Sequence, residues 1–233
     1  MSHLRSSLLT LALLLLPALH AVAQTDEFLP EIDVYYRLNP DLKPQLRLWF
    51  QAKETREGGN PVSAEIGPSL DVYMRPWLKL RDVTVFDLDD AKKRPLVFSA
   101  GYRVIPAPNK PIENRLELYL LTHFPLSYKI LLTDKNRADV DWQSGEVTWE
   151  YRNRVGLERS FAIRSYHISP YASAEFFYQS KYKKWSETAI YAGFLLPIAK
   201  HVQFNTYYEH QNNTGKKPNE QLDQAGLILG LYF

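Results

Sequence analysis

Arginines and carboxylates recur at every second residue along many short stretches of this chain, and that spacing brings them to a common face of extended backbone. Arg37, Arg47, Arg103, Arg115, Arg152 and Arg154 share that face with Asp33, Glu65, Asp71, Glu113, Glu117, Glu150, Glu158, Glu175 and Glu209. Two chemistries fit such a set. If the face lines a water-filled pore, rings of ionisable groups select solutes. If opposite charges meet across neighbouring strands, they brace the wall instead. The signs are balanced rather than uniformly positive, which favours bracing.

A second candidate is His210-Gln211-Asn212-Asn213, followed by Gly215, Lys217, Pro218 and Asn219. A histidine base needs a hydroxyl or thiol within hydrogen-bond reach to act in nucleophilic catalysis. Asn212 and Asn213 cannot supply one, and Thr214 sits four residues beyond the histidine, in a loop. The alternative is a polar strand end capped by Asx-type hydrogen bonds. His123, His167 and His201 lie near turns, and no two histidines share a strand face at metal-ligand spacing; neither a metal nor a cofactor is expected. Lys181, Lys183 and Lys184, with Tyr182 and Trp185, form a basic run that reads as a solvated loop, or as a contact for lipopolysaccharide phosphates.

The elements that must position these groups are strands of period two. The last is the clearest: Ala225, Leu227, Leu229, Leu231 and Phe233 fall on one face, and Gln224, Gly226, Ile228, Gly230 and Tyr232 on the other. Similar alternation spans 201–209, 188–196 (ending at Pro197), 171–178, 147–163, 126–132, 112–120, 96–104, 64–73, 46–53 and 32–37, with an irregular stretch at 77–86. That makes about 12 strands, and single-chain bacterial barrels take an even number. With the C-terminus on the periplasmic side, the loops 212–221 and 179–187 fall outside and the 197–200 turn inside. Short periplasmic turns and longer outer loops are expected. A soluble sandwich also alternates, so the pattern alone leaves both architectures open.

Compartment tips the balance. Arg5 precedes an unbroken apolar run at 8–16, and Ala21-Val22-Ala23 supplies small residues for cleavage, as in a secretory signal peptide. The run is shorter than the roughly 20 residues a spanning helix requires. The mature domain is then 24–233. With no cysteine in the chain, neither disulfides nor an N-terminal lipid can hold it. The formal net charge of +2 gives no reason to expect nucleic acid. A mean hydropathy of −0.34 excludes a helical membrane protein but not a barrel, whose alternating strands average out as polar. Fifteen Tyr, 11 Phe and 5 Trp recur near the ends of the runs, as interfacial girdles do.

Four segments carry a resemblance: Asp134-Lys135-Asn136-Arg137, Trp149-Glu150-Tyr151-Arg152-Asn153-Arg154, Pro170-Tyr171-Ala172 with Glu175-Phe176-Phe177-Tyr178, and Tyr207-Tyr208-Glu209-His210-Gln211-Asn212. Together they resemble the bacterial outer-membrane barrel family catalogued as domain of unknown function 2490. The likeness implies location and fold, and supplies no activity. The end of the chain also resembles the lipid A 3-O-deacylase barrels, in which a histidine activates a serine two residues along; here that position is Asn212. The terminal Phe233 is similar to the signal by which outer-membrane barrels are recognised for assembly.

The expectation is therefore a transmembrane, up-and-down, antiparallel all-β barrel in the bacterial outer membrane. It is non-enzymatic, either a narrow pore or a barrel with a closed, ion-paired lumen; the alternative is a lipid-modifying hydrolase. Its expected partners are outer-membrane lipid and lipopolysaccharide, the barrel-assembly machinery through Phe233, and a small solute if the lumen conducts.

Overall fold

The structure is a computed structural model and describes residues 25–38, 45–73, 88–164, 166–215 and 219–233. The expected leader and the irregular stretch 77–86 lie outside the described residues.

Among the described residues, twelve strands follow one another: β1 (Thr25–Leu38), β2 (Gln45–Glu57), β3 (Asn60–Tyr73), β4 (Leu96–Ile105), β5 (Glu113–Leu126), β6 (Ile130–Gln143), β7 (Glu146–Glu158), β8 (Phe161–Ile163), β9 (Tyr166–Gln179), β10 (Lys184–Ala199), β11 (Val202–Asn213) and β12 (Glu220–Tyr232). Each wall strand pairs with its neighbour in sequence, β7 pairs with β9, and β12 returns to β1, so eleven strands close into a barrel. The short β8 pairs only with the start of β9, as a small hairpin. The expected up-and-down barrel of about 12 strands is thus what forms.

Alternation is the physical reason for the strands. In β4, Val97, Ser99 and Arg103 are buried while Phe98 and Tyr102 are more than two-fifths exposed. Two hairpins turn on residues with positive φ at both central positions, Gly58-Gly59 and Ser144-Gly145, the conformation whose twist matches that of the flanking strands.

The closing pair departs from expectation. β1 and β12 run parallel, with Ile32 opposite Leu229 and Tyr35 opposite Tyr232. Eleven is odd, so the first and last strands must point the same way, and Thr25 begins at the end of the barrel opposite Phe233.

Local boundaries also differ. The stretch 126–132 is the β5–β6 turn, where Tyr128 and Lys129 take φ near +62° and +61°; apolar residues on both sides of a tight turn imitate one strand. The run 147–163 breaks after Glu158. β10 continues through Pro197 by a register shift between Pro197 and Ala199, a bulge that absorbs the missing N–H. The 179–187 and 212–221 loops share one end and the 197–200 turn the other, as expected. Longer links at the end opposite the C-terminus do not form: those intervals run from two to seven residues, and the longest interval between described strands, 74–95, separates β3 from β4.

Burial is inverted relative to a soluble protein. Asp71, Ser99, Arg103, Asp139 and Ser169 are fully inaccessible, whereas Ile32, Phe98, Trp149, Ile190 and Phe194 are each at least 40% exposed. The polar side chains fill the interior and the apolar ones form the outer wall.

Candidate functional site

All eleven residues expected to carry the lumen charge, Arg37, Arg47, Arg103, Arg115, Glu117, Glu150, Arg152, Arg154, Glu158, Glu175 and Glu209, share the inward face. The barrel brings them into a chain of contacts around the wall. Arg47 holds Asp71 at 2.6 Å through Nη2, and Trp49 Nε1 and Tyr119 OH donate to the other oxygen of that carboxylate. Arg103, fully buried, donates to Gln51 Oε1 and Ser69 Oγ, each at 2.8 Å, and lies 3.6 Å from Glu117. Arg115 meets three carboxylates, Asp141 at 2.6 Å, Glu65 at 3.0 Å and Glu113 at 3.1 Å. Arg137 bridges Glu117 and Asp139, Arg152 bridges Asp139 and Glu150, and Arg154 grips Glu175 at 2.6 Å. Glu209 is buried and lines a cavity of about 550 Å3 with Lys53, Glu187 and Tyr207.

Several of these partners were not legible as lumen groups. Lys135, Arg137, Asp139 and Asp141 all sit on β6, which has polar residues on both faces and so shows no amphipathic alternation.

The least expected element is the segment 88–94. Eleven strands about 4.8 Å apart, tilted by about 40°, make a ring of backbone radius about 11 Å, too wide for side chains from opposite walls to close. The segment crosses that space. Asp89 caps a short 3-10 helix, Asp90–Lys93, by accepting from the Ala91 N–H at 2.9 Å. Arg47 of β2 reaches Asp89 at 2.5 Å. Lys92 reaches Glu158 of β7 at 2.5 Å, and the Leu88 N–H donates to Gln203 of β11 at 2.8 Å. Arg94 pairs with Gln45, and Arg37 of β1 with Asp90. His123 donates from Nδ1 to the Arg94 carbonyl at 2.7 Å, so it sits inside β5, facing the lumen, and is a satisfied side chain. A peptide tied to β1, β2, β5, β7 and β11 lies across the ring. Burial pushes the Asp89 carboxyl up, but Arg47, the Ala91 N–H and Lys92 outweigh it and hold it below the ordinary aspartate value.

The second candidate set splits between the two faces. His210 points outward and donates from Nδ1 to Asp223 at 2.7 Å, and Tyr208 donates to the same oxygen. Asn212 also points outward. Asn213 turns inward, donating to Glu187 at 3.0 Å. The Thr214 hydroxyl is engaged by the Ser186 carbonyl. Asp223 supplies a carboxylate partner that sequence reading missed; its signal is that it is an acid on the outer row of β12, just before that row becomes apolar at Ala225. Among the described residues, no group of three or more His, Cys, Asp or Glu is placed to hold a metal.

The fold and its interior define an all-β protein: a closed barrel, polar inside and apolar outside, with an inward-folded segment at one mouth. The chain belongs to the family described as Protein of unknown function (DUF2490), which matches residues 91–222, more than half its length. No curated protein and no protein of solved structure matches it.

Proposed function

We propose that this chain is a bacterial outer-membrane barrel whose lumen is latched shut, and which acts through its walls rather than as a constitutive pore. The observation that carries the reading is the inversion of burial: charge packed inside, large apolar side chains exposed outside. Water makes such a surface costly at about 25 cal/mol per Å2 of apolar area, whereas a hydrocarbon layer covers it at no cost. An apolar outer band of this kind is how spanning barrels meet lipid. Latching is supported by the ion pairs from segment 88–94 to opposite walls.

The test is a planar-bilayer recording with the purified, processed protein. A silent barrel is expected; steady conductance in the unmodified protein would remove the latched version.

A second reading, a lipid-modifying hydrolase, draws on the outward His210–Asp223 pair. It still lacks a nucleophile at Asn212. Incubation with lipopolysaccharide, followed by mass spectrometry, decides it: released acyl chain would revive it and intact lipid would remove it.

A further inference from the structure

Lipid offers no hydrogen-bond partner, so polar side chains on a hydrocarbon-facing wall are costly unless something satisfies them. The outer wall nevertheless carries a transverse row of them, interrupted by Phe176. Asn136 stands opposite Asn153, Asn153 opposite Phe176, Phe176 opposite Thr188, Thr188 opposite Asn212, and Asn212 opposite Gln221. The row starts midway along β6 and β7 and climbs to the rim at β11 and β12, the end opposite Phe233.

Its lower part satisfies itself. Asn136 and Asn153 donate to the two oxygens of Asp134 at 2.9 and 2.7 Å, and Tyr151 donates to Asn136. The upper part does not. Asn212 Oδ1 is buried with no hydrogen-bond partner among the described residues, and it borders an outward groove of about 270 Å3 lined also by Asn153, Phe176, Trp185, Thr188 and Thr214.

Two further features converge there. Trp149 stacks on Tyr178 with centroids 5.4 Å apart, and Trp185 meets Tyr178 and Tyr151 edge-on at 5.8 and 5.9 Å. Immediately above, the β9–β10 turn exposes Lys181, Lys183 and Lys184. Below the groove the outer face turns apolar, through Ala174 and the exposed Ile190, then Ala172 opposite Ala192, to Phe194. From the rim downward, clustered ammonium groups, aromatic faces, amide and hydroxyl groups and an apolar wall match one chemistry.

We propose that this sector binds a phosphorylated glycolipid of the outer leaflet. The sugar ring lies against Trp185 and hydrogen-bonds Thr188 and Asn212, its phosphate is held by the lysines, and an acyl chain runs down the apolar wall past Ile190. The inference rests on the membrane reading above, because only a barrel set in lipid presents this groove to a lipid headgroup.

The test places the processed protein in phosphatidylcholine nanodiscs doped with lipopolysaccharide or with phosphatidylglycerol, and counts bound lipid by native mass spectrometry. The protein should retain lipopolysaccharide in preference to phosphatidylglycerol. Thr188→Val with Asn212→Leu, outward changes that hydrocarbon tolerates, should weaken retention about thirtyfold, as expected for two lost hydrogen bonds of roughly 1 kcal/mol each. Lys181→Ala, Lys183→Ala and Lys184→Ala together should do the same. Leu118→Val on the opposite wall should change nothing. Equal retention of the two lipids, or no loss in the groove variants, overturns the proposal while leaving the barrel intact. Failure to enter nanodiscs at all overturns the membrane reading, and the proposal with it.

Discussion

Arg47 clamps Asp89 at 2.5 Å with one nitrogen while two others hold Asp71 of the wall. One guanidinium thereby couples the segment that crosses the mouth to the strand beside it. Arginine suits this role because its planar fork engages two carboxylates at once.

Asp89→Ala should loosen the latch without disturbing the wall, since Arg47 keeps Asp71. In planar bilayers the variant is expected to show discrete openings where the unmodified barrel is silent. A silent Asp89→Ala barrel would mean that the clamp does not hold the lumen shut.

The same clamp sets a pH dependence. The Asp89 carboxyl is held below its ordinary value, so its contribution is complete above the usual aspartate pKa of about 3.9 and is lost only as pH falls through the depressed folded value. Conductance should therefore stay closed from pH 7 down to about 4 and rise below that. Openings that begin between about pH 5 and 6, well above the aspartate range, would point to a different group.

The parallel seam is testable because the chain contains no cysteine. Ile32→Cys with Leu229→Cys, register partners in β1 and β12, should oxidise to an intrachain disulfide. Ile32→Cys with Leu227→Cys, two residues out of register, should oxidise far less. The reverse preference would show that the barrel closes differently.

Much of the fold was legible in the residues. β12 displays the rule plainly, with Ala225, Leu227, Leu229 and Leu231 outward and Gln224, Gly226, Gly230 and Tyr232 among the inward residues. β6 hid because Asp134 and Asn136 face outward opposite Lys135 and Arg137, which erases the alternation; that very anomaly marks the polar row on the outer wall. The latch hid because Asp89-Asp90-Ala91-Lys92-Lys93 has no strand alternation, and only tertiary structure brings Arg47, Gln203 and Glu158 to it. The parallel closure was out of reach, since strand parity depends on whether 147–163 and the stretch near residue 80 each count as one wall strand.

Sidedness separates the rim of the proposed lipid site from the latch. In intact cells, Glu146→Cys, at the end opposite the C-terminus, should react with a membrane-impermeant maleimide, while Lys200→Cys should react only after the outer membrane is permeabilised. The opposite pattern would invert the barrel.

The central claim is that hydrocarbon covers the apolar wall, and spin labels along β5 test it most directly. Leu116→Cys, Leu118→Cys and Leu120→Cys, labelled in vesicles, should collide freely with oxygen and hardly at all with a water-soluble nickel chelate, while Glu117→Cys and Tyr119→Cys should not show that signature. Strong nickel collisions at all three leucine positions would mean that the wall faces water, and the membrane reading would fail.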